Sequence, residues 1–223
     1  MFLSFFKEKV RLDSLAKSLL LSQLSQGFGW FDVSRFDDKR ILTPAEKEVL
    51  RASLADFFVV LVLFLLLDRL VIAGPKIGSR TLNAEFCRGA VSAYMESGLS
   101  TDQAKAKVEQ VLGEQGYLDA VTNQPEPPAL PSSIPEAARA EAMEVLNPYR
   151  GLTDKQRQEL SPFYFLCDHF AKRTVKLLSG DKGFDAPRTM IALECAHNLY
   201  RSTQAGVMTL LKKVSVTLPP YQS

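Results

Sequence analysis

The residues with most chemical potential are two cysteine–histidine pairs, Cys167-Asp168-His169 and Cys195-Ala196-His197. They contain both histidines of the chain and two of its 3 cysteines. Two thiolates and two imidazoles are a common zinc ligand set. The spacing argues against that reading. Residues two apart on a helix project about 200° from each other, so one helix cannot aim both members of a pair at one ion. Zinc pairs on turns use longer spacings, and a site here would need one ligand from each of two antiparallel helices. Glu194-Cys195-Ala196-His197 also matches the Glu-x-x-His of di-iron bundles, but that site needs a second such motif, which the sequence lacks. No metal and no cofactor are expected. Apolar neighbours such as Phe165, Leu166 and Phe170 suit inert, buried thiols rather than activated thiolates. Gly74-Pro75-Lys76-Ile77-Gly78-Ser79 lacks the spacing of a phosphate loop and reads as a turn. The chain is therefore expected to be non-catalytic.

Two candidate sites remain. Met190, Leu193, His197, Tyr200, Gln204, Val207, Leu211 and Val214 recur at alternating intervals of three and four, a helical seam. His197 and Gln204 fall on it, where polar groups need partners. With His169 and Glu194 they make a candidate polar pocket. It would hold a core histidine that fixes helix register, or a small ligand or protonation site. The second candidate is Gly27-Phe28-Gly29-Trp30-Phe31, which contains the only tryptophan. Phe28, Trp30 and Phe31 would either plug the end of a helical bundle or anchor a protein interface.

Helices must position these residues. Thr43-Pro44-Ala45-Glu46 offers a threonine cap, a proline at the first helical position and a capping-box glutamate. That helix should carry the apolar run Phe57–Leu67 and stop near Gly74-Pro75. Ser100-Thr101-Asp102-Gln103, Ser133-Ile134-Pro135-Glu136 and Thr153-Asp154-Lys155-Gln156 repeat the box, and Asp185-Ala186-Pro187 opens another helix. Gly98, Gly113 and Gly180 are expected stops. Pro162 either kinks a helix or begins a new one. Leu12, Leu15, Ala16, Leu19 and Leu20 make one apolar stripe; Leu82, Phe86, Ala90, Ala93 and Tyr94 make another. Sustained period-two alternation is absent, so strands should be incidental. The expected fold is all-α: an irregular multi-helix bundle of about six to eight helices around a long apolar central helix. A proline-rich connection over 122–135 should separate an N-terminal lobe, 1–121, from a C-terminal lobe, 136–223, packed on the first.

Composition bounds the function classes. A net charge of +2 gives no nucleic-acid signal. Three widely spaced cysteines suit a reducing compartment, and the first residues do not read as a secretory signal. The segment 57–73 is the one membrane candidate. Its uninterrupted part is about half the roughly 20 residues a span needs. Extending it takes in Asp56 or Asp68-Arg69, and its flanking cations are balanced. The expectation is a cytoplasmic protein whose role is regulatory or protein–protein interaction, with protein as its partner. A membrane-associated protein using 57–73, and an enzyme or ligand carrier with a pocket around His169 and His197, are the alternatives.

Overall fold

The computed structural model describes residues 8–25, 28–72, 78–113, 154–180 and 185–218. The chain is predominantly α-helical, as its patterning predicts. In order it forms β1 (Glu8–Arg11), α1 (Leu12–Leu24), a short 3-10 turn (Val33–Phe36), α2 (Pro44–Leu67), α3 (Ser79–Glu96), α4 (Thr101–Leu112), α5 (Asp154–Ser179), α6 (Ala186–Lys213) and β2 (Val214–Thr217). The last turn of α2 widens into a π-helical segment, Asp68–Ile72. The 122–135 connection and the Ser133 cap lie outside the described residues.

The caps form where the residue types require them. Thr43 N–H donates to Glu46 Oε2 at 2.7 Å, and Glu46 N–H returns a bond to Thr43 Oγ1 at 3.2 Å. Ser100 and Gln103 close the same reciprocal box on α4. Asp185 Oδ1 accepts from Arg188 N–H at 3.1 Å at the start of α6. Each such cap satisfies orphan N–H groups and is worth about 1 kcal/mol. Gly98 and Gly180 end α3 and α5 with φ of 108° and 62°, a region that costs other residues strain. α5 runs without interruption through Pro162.

The chain divides into two compact units, Met1–Trp30 with Ala55–Gly113 and Arg201–Ser223, and Phe31–Leu54 with Glu114–Tyr200. Both α2 and α6 therefore contribute residues to each. In the first unit α1 lies against α3 at Gly89. A Cβ built there would clash with the Asp13 carbonyl and stand 2.8 Å from Ala16 Cβ, so only glycine permits this approach. The stripes are buried as expected: Leu12, Leu15, Ala16 and Leu20 on α1, and Leu82, Phe86, Ala90, Ala93 and Tyr94 on α3. Leu19 sits at the margin. β1 and β2 pair in parallel, Glu8 opposite Val214 and Arg11 opposite Thr217.

The apolar run lies inside the first unit. Phe57, Val59, Leu61, Val62, Leu65 and Leu66 are fully enclosed, whereas Leu63, Phe64 and Leu67 of the same run are partly exposed. Each enclosed side chain contributes about 1.5–3 kcal/mol by leaving water. The charges at its ends are paired: Asp56 Oδ1 lies 2.7 Å from Lys107 Nζ, and Asp68 lies 3.0 Å from Arg69. The helix is longer than the run that marks it. Pro44–Val71 spans 28 residues with a mean hydropathy of 2.4 in its most apolar window, of which 61% is buried, so by length and composition it also meets the requirement for crossing a membrane.

In the second unit α5 and α6 meet through stacked Phe163 and Tyr200 rings, 4.6 Å between centroids. Leu166, Cys167 and Ala171 of α5 and Ala192, Cys195, Ala196 and Leu199 of α6 are fully buried. The expected seam on α6 is rotated. Leu193, Tyr200 and Val207, with Val214 just beyond the helix, are buried, but Met190, His197, Gln204 and Leu211 stand at the edge of the buried face. Small residues occupy the centre instead.

Candidate functional site

The residues of the expected polar pocket lie on two helices and at different depths. His169 on α5 and His197 on α6 are half-buried, whereas Glu194 is exposed. Gln204, half-buried, belongs to the first unit and the other three to the second. His197 meets Tyr164 edge-on, with centroids 4.8 Å apart. Among the described residues no three His, Cys, Asp or Glu side chains converge as a metal site.

The thiols are held in their protonated form. Burial pushes the Cys195 thiol up to about 12, with the charges of Glu194 and Asp37 adding to it. Burial and then Asp168 raise Cys167, and burial alone raises Cys87. A protonated thiol is a poor nucleophile and a poor metal ligand.

The second unit also contains two charge networks with no periodic signal in the sequence. Asp37 is 3% exposed, and its carboxylate accepts from Ile41 N–H at 2.6 Å and Leu42 N–H at 3.2 Å. Lys47 Nζ stands 3.1 Å away. Burial opposes ionisation of Asp37, but the two backbone donors and Lys47 outweigh it and hold the carboxyl below its ordinary range. Arg188 joins Glu46 at 2.9 Å and Asp185 at 2.7 Å, tying the first turn of α2 to that of α6. The Thr43 N–H, offset in part by burial and helped by Arg188, lowers the Glu46 pKa. In the first unit buried Glu85 pairs with Arg88, one turn along α3. Asp37 and Glu46 thus face structural partners, whereas one Glu85 carboxylate oxygen is buried without a hydrogen-bond partner.

The aromatic segment divides between interior and surface. Phe28 is 1% exposed and packs on Phe58, with centroids 5.7 Å apart. Its φ of 59° turns the backbone so that the ring enters the core. Phe31 is also buried and stacks on Phe36 in the second unit. Trp30 is 42% exposed, with its ring centroid 5.3 Å from that of Phe28. The segment thus buries Phe28 and Phe31 and exposes Trp30.

Trp30 stands on an open groove of about 420 Å³ in the first unit. α1 supplies Leu19, Ser22 and Gln23; α2 supplies Phe58 and Val62; α6 supplies Ser202, Thr203, Gly206 and Val207. Of these ten residues the sequence marks only Trp30 as a candidate site residue; Leu19, Val207, Phe58 and Val62 read as parts of apolar stripes or of the apolar run. The one local hint of the rest was Gly206, a glycine inside a long helix, which costs about 1 kcal/mol against alanine.

No protein-family model matches the chain, and neither a curated protein nor a solved structure shows significant similarity to it.

Proposed function

We propose that the chain is a non-catalytic helical protein of the cytoplasm that acts by binding another protein, with Trp30 as the anchor. One observation carries this reading: a tryptophan 42% exposed, backed by a buried phenylalanine. Tryptophan is enriched in binding hot spots because its large, stiff ring covers much area at little entropic cost and its N–H can donate. The protonated thiols and the fully partnered Asp37 carboxylate support a role without covalent or acid–base chemistry. Free cysteines at Cys87, Cys167 and Cys195 suit a reducing compartment.

The test is position-controlled photocrosslinking. A benzophenone amino acid at position 30 should give discrete adducts in cells, competed by added wild-type chain but not by its Trp30→Ala variant. The same group in place of Lys105, on the exposed face of α4, should give none. Adducts of equal yield from both positions, or none from either, would reject Trp30 as an anchor. A membrane-associated role is the second reading, favoured by the length and hydropathy of Pro44–Val71.

A further inference from the structure

The groove under Trp30 has a composition unusual for this chain. None of its ten lining residues is ionisable, although 23% of the sequence is charged. A charged ligand would lose its water there and gain no counter-charge. The walls offer an aromatic pair, Trp30 and Phe58, and aliphatic side chains from Leu19, Val62 and Val207. Polar atoms enter from two helices. Ser22 Oγ donates to Leu19 O at 3.0 Å within α1, and Gln23 Nε2 leans on Ser22 Oγ at 3.4 Å. This arrangement leaves the Gln23 carbonyl oxygen as an acceptor for an incoming N–H or O–H. A volume of about 420 Å³ falls within the roughly 300–1,000 Å³ of small-molecule sites, which are mostly apolar with a few polar groups.

We propose that this groove is a binding site for an uncharged, ring-bearing small molecule that stacks on Trp30 and donates a hydrogen bond to Gln23. The proposal does not rest on a protein partner at Trp30, since it is tested on the purified chain with a small probe. Gly206 makes the site testable. A Cβ added there meets nothing within 4 Å, so a larger side chain is accommodated at the groove wall without displacing backbone, and a helix favours it over glycine.

The chain's single tryptophan is itself the reporter. The purified full-length protein is titrated with N-phenyl-1-naphthylamine, an uncharged amine whose absorption overlaps tryptophan emission. The expected result is saturable energy transfer from Trp30 at one probe per chain. The sulfonated analogue 8-anilinonaphthalene-1-sulfonate should bind about tenfold more weakly or worse, since its charge would be stranded. Gly206→Leu should abolish the transfer with a melting temperature no lower than that of the wild type. Gln23→Leu, which leaves the groove open, should weaken the amine about fivefold. Absence of transfer, equal affinity for the sulfonate, or binding indifferent to both substitutions would overturn the proposal. So would a Trp30 emission shift that tracks protein concentration without probe, because a second copy would then fill the groove.

Discussion

Asp37 shows how much a single side chain can organise when its partners are backbone. It faces two N–H groups and Lys47 with almost no water, in a loop that has no repeating structure of its own. Asp37→Ala leaves both donors and the ammonium without their acceptor and should cost about 2–4 kcal/mol at pH 7. The pH dependence has a definite sign. A carboxyl whose folded pKa is depressed contributes stability above its ordinary value near 3.8, and that contribution is lost as pH falls through the folded pKa. The gap between wild type and Asp37→Ala in denaturant unfolding should therefore be widest near neutrality and narrow below about pH 4. A gap under about 0.5 kcal/mol at pH 7 would mean that the loop does not depend on this carboxylate.

Among the helices, the contact of α1 with α3 is the most demanding because it needs the absence of a side chain. Gly89→Ala must push Asp13 and Ala16 away and should destabilise by about 1–3 kcal/mol, although alanine is the better helix former. Gly206→Ala, in open space, should stabilise by up to about 1 kcal/mol. Thermal melts of the two variants should move in opposite directions. If both rise, the helices are not in contact at residue 89. The same contrast explains what was legible in sequence. Caps at Thr43, Ser100 and Asp185 could be read because they depend on residue types three positions apart. The stripes on α1 and α3 could be read because large apolar residues mark them. The face of α6 was misplaced because Ala192, Cys195 and Ala196, its buried centre, carry little hydrophobic weight. The groove gave almost no signal, since its walls come from segments far apart in the chain and are held together only by the fold.

For the molecule as a whole, the question is what surrounds α2. Its enclosed residues and paired terminal charges fit a central helix of a water-soluble protein, and on that basis the chain should remain in the supernatant after high-speed centrifugation without detergent. Recovery only from carbonate-washed membranes would instead establish the membrane reading. The two short strands were too brief to show alternation, and their partnership joins segments remote in sequence.

That pairing has a consequence for how the protein is made. Thr217 Oγ1 donates to the Val10 carbonyl at 3.3 Å across 207 positions of chain. At ribosomal speeds of roughly 5–20 residues per second, the first strand waits roughly 10–40 s for its partner to be synthesised. Throughout that interval its edge is open to pairing with another nascent chain. The first unit, assembled from three separated segments, can complete its fold only after translation has passed Thr217.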